Sequence, residues 1–272
     1  MSPAPRLVAF DVDGTLVGRD LRISKSVRDA VARMQQAGSA GCLVTGRMYR
    51  ATVPFARELG FDAPLICYQG AAVIDPTSDD VLAHQALAND VVLDLVALAE
   101  HDGMHLQLYR NDEYYCETQN QYSELYASLS MTQPVFVPSL REAFAYSPAT
   151  KGIVIAEAPI AAEYARRLAD TLKGRANVTR SLPEFVEVFD PSVDKGSALR
   201  FVAHHLGIAM EETMAIGDSW NDRPLLEAAG FSIAMGSAPP ELKDVCDRVV
   251  GDLAHDGVAE AIDKYVLGSG FS

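Results

Sequence analysis

The chain has 272 residues, 49% of them hydrophobic and 22% charged, so it reads as globular and long enough for one large domain or two ordinary ones. Its 37 acidic and 23 basic side chains give a net charge of -14, which repels phosphate backbones and anionic lipid. Nucleic acid and membrane surfaces are therefore not expected partners, and an anionic ligand would have to be met by a local cation. No apolar run approaches the about 18–20 residues of a membrane span, and residues 1–6 lead into a strand-like segment without an apolar signal stretch. Cys42, Cys67, Cys116 and Cys246 form no CxxC pair. A reducing, cytoplasmic setting is the expectation; nothing in the sequence sets an oligomeric state.

Leu7–Phe10 is an apolar run of the buried parallel-strand kind and ends abruptly at Asp11. Val27, Ala30, Val31 and Met34 recur at helical spacing, with Ser24 or Ser26 as N-cap and Gly38 as stop. Gly41–Val44 is a second strand, closed by Thr45-Gly46-Arg47; a helix follows through about Leu59, then a third strand at Pro64–Cys67. This rhythm predicts βαβ units on a parallel sheet. Asp75–Asp80 is turn chemistry, and the rhythm changes after it. A helix over 90–101 stops at Gly103, and alternating strands His105–Tyr109 and Glu113–Glu117 flank an Asn111-Asp112 hairpin turn. A helix near 120–129, a strand Gly152–Ala156, a helix near 160–172 and strands at 177–179 and 185–189 follow. From Asp194 the first rhythm returns: a helix over 197–206, a strand Thr213–Ile216, a helix opened by Gly217–Asp222, strands near 231–235 and 248–250, and a helix near 258–266. The fold class is α/β: a Rossmann-like parallel-sheet core (1–82 with 188–272) interrupted by an inserted α+β module (83–187).

Four fragments carry the chemistry: Asp11-Val12-Asp13-Gly14-Thr15, Thr45-Gly46-Arg47, Lys195-Gly196 and Gly217-Asp218-Ser219-Trp220-Asn221-Asp222. Three follow the carboxyl end of an apolar strand, where open α/β sheets bind ligands; Lys195 opens a helix instead. Asp11, Asp13, Asp218 and Asp222 would gather carboxylates at one sheet edge, which cannot stay ionised without a cation. Hard oxygen donors without His or Cys select Mg2+. A calcium loop counted from Asp11 would need glycine at its sixth place and glutamate at its twelfth, and the chain has Leu16 and Arg22 there.

Together the four fragments resemble the haloacid dehalogenase (HAD) superfamily of phosphatases, across the whole chain. The module between Thr45-Gly46-Arg47 and Lys195-Gly196 is similar to the type IIB cap of the Cof-type subfamily, as are Tyr68–Ala71 and Asp256–Ala259. The resemblance implies Asp11 as the nucleophile that becomes an aspartyl-phosphate, and Asp13 as acid for the leaving alcohol, then base for water. Asp11, the Asp13 carbonyl and Asp218 would hold Mg2+. Val12, Thr45, Gly46 and Asn221 would bind phosphate oxygens, Lys195 would neutralise charge, and Asp222 would orient Lys195 or the metal's surroundings. Gly14 and Gly217 take tight-turn roles.

The chain departs from the pattern at Gln69, where the subfamily has asparagine. Trp220 is a bulky filler, read as core packing ahead of substrate contact; Arg47 is read as a phosphate or substrate contact, or a salt bridge along the following helix. Specificity is expected in the cap, with His105, Gln107, Tyr109, Tyr114, Tyr115 and the segment Arg180–Glu187 as candidates. Hinges are expected near 75–83 and 187–194. The reading is a Mg2+-dependent phosphatase of small phosphorylated metabolites, above all sugar phosphates. A phosphomutase sharing Asp11 and Asp13, a non-catalytic binding protein on the same fold, and a metal-dependent glycosyltransferase using the Asp-Val-Asp run remain alternatives.

Overall fold

The structure, a computed structural model, describes residues 4–268; Met1–Pro3 of the opening segment lie outside it. Strand β1 (Leu7–Asp11) is buried along its whole length, as a central parallel strand covered on both faces must be. Ser24 caps helix α1 (Lys25–Gln36) by accepting from the Val27 amide, and the helix buries the expected stripe of Val27, Ala30, Val31 and Met34. β2 (Ala40–Val44), α2 (Tyr49–Leu59) and β3 (Leu65–Cys67) complete the first βαβ units. β4 (Ala72–Ile74) and β5 (Val81–His84) then pair antiparallel at the sheet edge.

The inserted module holds α3 (Asn89–Asp102), β6 (His105–Arg110), β7 (Glu113–Cys116), α4 (Gln121–Ser130), β8 (Val135–Phe136), α5 (Leu140–Ala143), β9 (Lys151–Ile155), α6 (Ala158–Thr171), β10 (Asn177–Leu182) and β11 (Phe185–Phe189). Asn111 and Asp112 both have positive φ, the backbone a two-residue hairpin turn requires. The chain returns to the core through α7 (Lys195–His205), β12 (Thr213–Gly217), α8 (Arg223–Ala228), β13 (Phe231–Ala234), α9 (Pro240–Lys243), β14 (Arg248–Val249) and α10 (Gly257–Ala261), which runs on into a π-helical turn at Ile262–Val266.

Among the described residues the core sheet has the order β14-β13-β12-β1-β2-β3-β4-β5, and the module's sheet the order β10-β11-β9-β6-β7-β8. The core is an α/β parallel sheet from β14 to β3. Val8, Phe10 and Leu43 face α1, α2 and α10, while Leu7, Ala9, Cys42 and Val44 face α7 and α8. In the module, alternation sends Leu106, Leu108, Val154, Val186 and Val188 toward its helices. Tyr109, Tyr114, Ile153 and Phe185 on the opposite face join the core domain's apolar cluster.

The β4–β5 hairpin was not expected, and it moves the first of the two module boundaries. The expected 82/83 cut falls inside β5, and the 187/188 cut falls inside β11. Residues 81–84 belong to the core sheet, so the outgoing crossing lies at 85–88, beyond the 75–83 segment expected to hinge. There the Leu87 amide already donates to the Ala149 carbonyl of the module. The stretch from Gly217 to Asp222 is the end of β12 and a single tight turn, with α8 starting only at Arg223.

Candidate active site

β1 and β12 are neighbours in the sheet, with Phe10 opposite Ile216. Their carboxyl ends therefore deliver Asp11 and Asp218 to the same edge. Lys195 arrives from the other side as the first residue of α7, set by Asp194, whose side chain caps the helix through the Ser197 amide at 2.7 Å. Its ammonium donates to Asp11 Oδ1 at 2.7 Å and to Asp222 Oδ1 at 2.5 Å, and all three side chains are buried. Asp222 Oδ2 accepts from the Asp218 and Ser219 amides, each at 3.0 Å. Both oxygens of Asp222 are thus engaged in holding Lys195 and the motif's own loop.

Two glycines make this closeness achievable. Gly14 has φ +90, and a Cβ there would lie 2.2 Å from Asp218 Oδ2. Gly217 has no unusual φ; a Cβ would meet the Asp222 side chain at 2.7 Å, so its role is close approach and not the tight turn expected for it.

One oxygen each from Asp11, Asp218 and Asp222 fits within 4.8 Å. Burial, reinforced by Asp222, pushes the Asp11 carboxyl well above its ordinary range, and the same two causes push Asp218 up to about 7. Burial would also favour a neutral amine at Lys195, but Asp11 and Asp222 outweigh it and hold the ammonium above its usual range. One ammonium among these carboxylates leaves an uncompensated negative charge. An all-oxygen donor set fits a hard cation of the Mg2+ kind, and Asp11 and Asp218, unlike the fully engaged Asp222, each carry an oxygen outside their bonds to Lys195 and Thr15.

Beside this centre, Thr45 is buried and its Oγ1 accepts from the Arg47 amide at 3.1 Å. Val12, between the two aspartates, closes the turn that follows them, its carbonyl accepting from the Leu16 and Val17 amides. Asp11, Asp13, Thr45, Gly46, Asp218 and Asn221 all line one cavity of about 240 Å³. The inserted module roofs it with Tyr126, Leu129, Ile153, Leu182 and Phe185, together with the charged side chains of Lys151 and Glu187.

Several expectations need correction. Trp220 is 46% exposed, because the tight turn that carries it lies against β10 at the surface and not in the core. Arg47 neither reaches along its own helix nor stands free for phosphate. It grips Asp13 at 2.6 and 2.8 Å and donates to the Leu129 carbonyl of the module at 2.9 Å. Gln69 is buried and bridges Asn221 to Glu187. None of His105, Gln107, Tyr109, Tyr114 or Tyr115 lines the cavity. Tyr109 and Tyr114 stack on each other and against Tyr126, and Tyr115 packs on Phe144. His105 sits by a separate cleft, where burial lowers its imidazole to about 4. From the segment Arg180–Glu187, Ser181, Leu182, Phe185 and Glu187 do reach the cavity.

Residues 8–262 match the family of haloacid dehalogenase-like hydrolases. The chain belongs to that family. It is 28% identical to the 5-amino-6-(5-phospho-D-ribitylamino)uracil phosphatase of Bacillus subtilis, over 97% of this chain and 99% of the relative. A haloacid dehalogenase-like hydrolase of Bacteroides thetaiotaomicron superposes with a TM-score of 0.85 at 29% identity, covering 96% of this chain and 99% of that one. A sugar phosphatase of HAD subclass IIB shares the fold, with a TM-score of 0.85 at 22% identity over 95% and 98% of the two chains. The chain is thus a HAD-family phosphomonoester hydrolase with an inserted α+β cap.

In this HAD hydrolase the sequence reading missed Lys151, Tyr126, Leu129 and Ile153 of the cap. A signal existed for one of them: Lys151 opens the otherwise apolar run Gly152–Ile155, and a charge so placed is seldom buried unless it has a partner. Among the described residues no helix is long and apolar enough to cross a membrane.

Proposed function

We propose that this HAD-family phosphatase hydrolyses small phosphomonoesters, sugar phosphates among them, with Mg2+ as cofactor and through an aspartyl-phosphate on Asp11. The observation that carries the reading is the buried Lys195 ammonium bound between Asp11 and Asp222, with Asp218 alongside, in a cavity that residues of the inserted module also line. A binding module has no use for a lysine that clamps a carboxylate at the mouth of a cavity.

In this account Lys195 occupies Asp11 Oδ1, which leaves Oδ2 to attack phosphorus in line. Thr45 Oγ1 and the Val12 and Gly46 amides take the equatorial oxygens, joined by Asn221. Positioning and charge neutralisation supply most of the rate, as expected of phosphoryl transfer. Asp13 protonates the departing alkoxide and then takes a proton from the water that attacks the phosphorylated Asp11. Asp11, the Asp13 carbonyl and Asp218 would hold the metal, which offsets carboxylate repulsion and draws the phosphate in. The cap wall of Tyr126, Leu129, Ile153, Leu182 and Phe185 excludes water during transfer. The four cysteines are free thiols, which supports a reducing compartment, and we place the enzyme in the cytoplasm.

The test is a screen of phosphorylated metabolites for phosphate release, with Mg2+ and with chelator. Hydrolysis of at least one ester, abolished by chelator, is expected. No release from any ester under any divalent metal would overturn the reading.

A further inference from the structure

Two buried charges of the cap take no part in the chemistry above. Lys151 of β9 and Glu187 of β11 are 1% and 2% exposed, and Lys151 Nζ donates to Glu187 Oε2 at 2.5 Å. Burial holds the Lys151 ammonium below its ordinary range despite Glu187. A buried pair of this kind contributes little net stability compared with apolar residues of similar size. Its remaining bonds leave the cap altogether and end in the core's phosphate loops.

We propose that the Lys151–Glu187 pair positions Thr45 and Asn221, the two side chains that take phosphate oxygens, and does so only while the cap is seated. This rests on the phosphatase reading given above. One arm starts at Lys151, whose Nζ also donates to the Gly46 carbonyl at 2.6 Å. That carbonyl shares its peptide plane with the Arg47 N–H, which donates to Thr45 Oγ1 at 3.1 Å. Fixing the plane fills the hydroxyl's acceptor side and leaves its proton to donate into the cavity.

The other arm starts at Glu187. A carboxylate only accepts, so Oε1 must face the amide nitrogen of Gln69, which donates to it at 2.9 Å. The amide oxygen of Gln69 is thereby turned toward Asn221 and accepts from Nδ2 at 3.2 Å. Asn221 Oδ1 accepts from Ser219 Oγ, so the second proton on Nδ2 remains for phosphate. Glu187 thus dictates which end of Asn221 meets the ligand, through a residue 152 positions away from Asn221 and 118 from Glu187. Gln69 holds φ 63 in this bridge, a left-handed backbone that a residue with a side chain rarely adopts. Both arms cross from cap to core, so lifting the cap breaks them. The phosphate site is completed by closure and relaxed by opening, which would couple product release to cap motion.

The test uses the double variant Lys151→Met/Glu187→Met, since exchanging a whole buried ion pair for apolar residues spares the fold where removing one partner does not. Orthophosphate binding to the Mg2+-loaded protein is measured by calorimetry, and kcat/KM with p-nitrophenyl phosphate, whose leaving group makes few demands on the cap. Expected are a melting temperature close to wild type and phosphate affinity weaker by about 10- to 100-fold, the scale of a lost hydrogen bond to a charged group. Thr45→Val should weaken phosphate binding in the wild-type background and add little in the pair-less one. Unchanged phosphate affinity, or a Thr45→Val effect of the same size in both backgrounds, overturns the proposal. If the double variant does not fold, Gln69→Met cuts the second arm alone. Adding Asn221→Ala to it should then cost little, and a full, independent Asn221→Ala effect overturns the proposal. Wild-type protein that hydrolyses no phosphomonoester and binds no orthophosphate overturns the phosphatase reading too; wild type that does both, matched by the double variant, overturns this proposal alone.

Discussion

The Arg47 guanidinium holds both oxygens of the Asp13 carboxylate, Nη2 to Oδ1 at 2.6 Å and Nε to Oδ2 at 2.8 Å. Its third nitrogen donates to the Leu129 carbonyl at the end of cap helix α4, at 2.9 Å, and its plane lies over the Phe55 ring. The proposed proton donor is therefore gripped by a fork that also touches the cap. With both carboxylate oxygens engaged, Asp13 must exchange part of this grip for the substrate's leaving oxygen in the proposed acid role.

Arg47→Lys keeps the charge and loses the planar fork. A lysine ammonium cannot span both Asp13 oxygens and the Leu129 carbonyl at once. We expect kcat/KM to fall about 10- to 100-fold, the worth of one charged hydrogen bond, with the melting temperature little changed. Steady-state kinetics on any accepted ester checks this, and wild-type kinetics in the variant would remove Arg47 from the account.

Asp13→Asn should hurt alkyl phosphates far more than aryl phosphates. A sugar alkoxide is a poor leaving group and needs the acid's proton, a contribution of about 10²–10⁴-fold. Nitrophenolate departs nearly unaided. The comparison is made in kcat/KM, which stops at the first irreversible step and so leaves out Asp13's later work as a base. Equal losses on both esters would mean that Asp13 is not the acid.

The metal should stabilise more as pH rises. Burial, reinforced by Asp222, pushes the Asp218 carboxyl up to about 7 in the metal-free fold against 3.8 unpaired, so between these values the native state binds more protons than the unfolded chain. Stability then has a negative slope in pH: the contribution is complete below the unfolded value and is lost as pH rises through the folded one. In the proposed site, Mg2+ would take the place of that proton. Thermal melts with Mg2+ and with chelator should therefore differ more at about pH 8 than at about pH 5. A gap that is constant or shrinks with pH would place the cation elsewhere.

How much of this was legible in the sequence depends on the range of the interactions. Asp11 and Asp218 could be read because each polar residue follows a fully apolar strand, a local contrast that marks a sheet's carboxyl edge. The β4–β5 hairpin could not, since Ala72–Ile74 is too short to show a period and β5 is half exposed. Trp220 was misread because bulk argues for burial, while its turn lies at the surface. The roles of Lys151, Gln69 and Arg47 follow from partners 105, 118 and 34 positions away. Nothing in the neighbouring residues points to those partners.

Ser24 offers a stability test remote from the chemistry. Its side chain caps α1 through the Val27 amide at 3.2 Å and donates to Asp256 Oδ1 at 2.6 Å, tying the first helix to the turn before α10. Ser24→Ala should cost about 0.5–2 kcal/mol in denaturant unfolding, the usual range for a lost cap, and leave kcat/KM unchanged. A loss of activity without a loss of stability would give this corner a role the present account lacks.

The most direct measurement is acid quench of the Mg2+-loaded enzyme during turnover of an accepted ester, followed by peptide mass spectrometry. A phosphoryl group on the peptide bearing Asp11, labile at alkaline pH and absent from Asp11→Asn, is the predicted result. Full turnover by Asp11→Asn, or a phosphoryl group that accumulates on any other residue, would contradict the account.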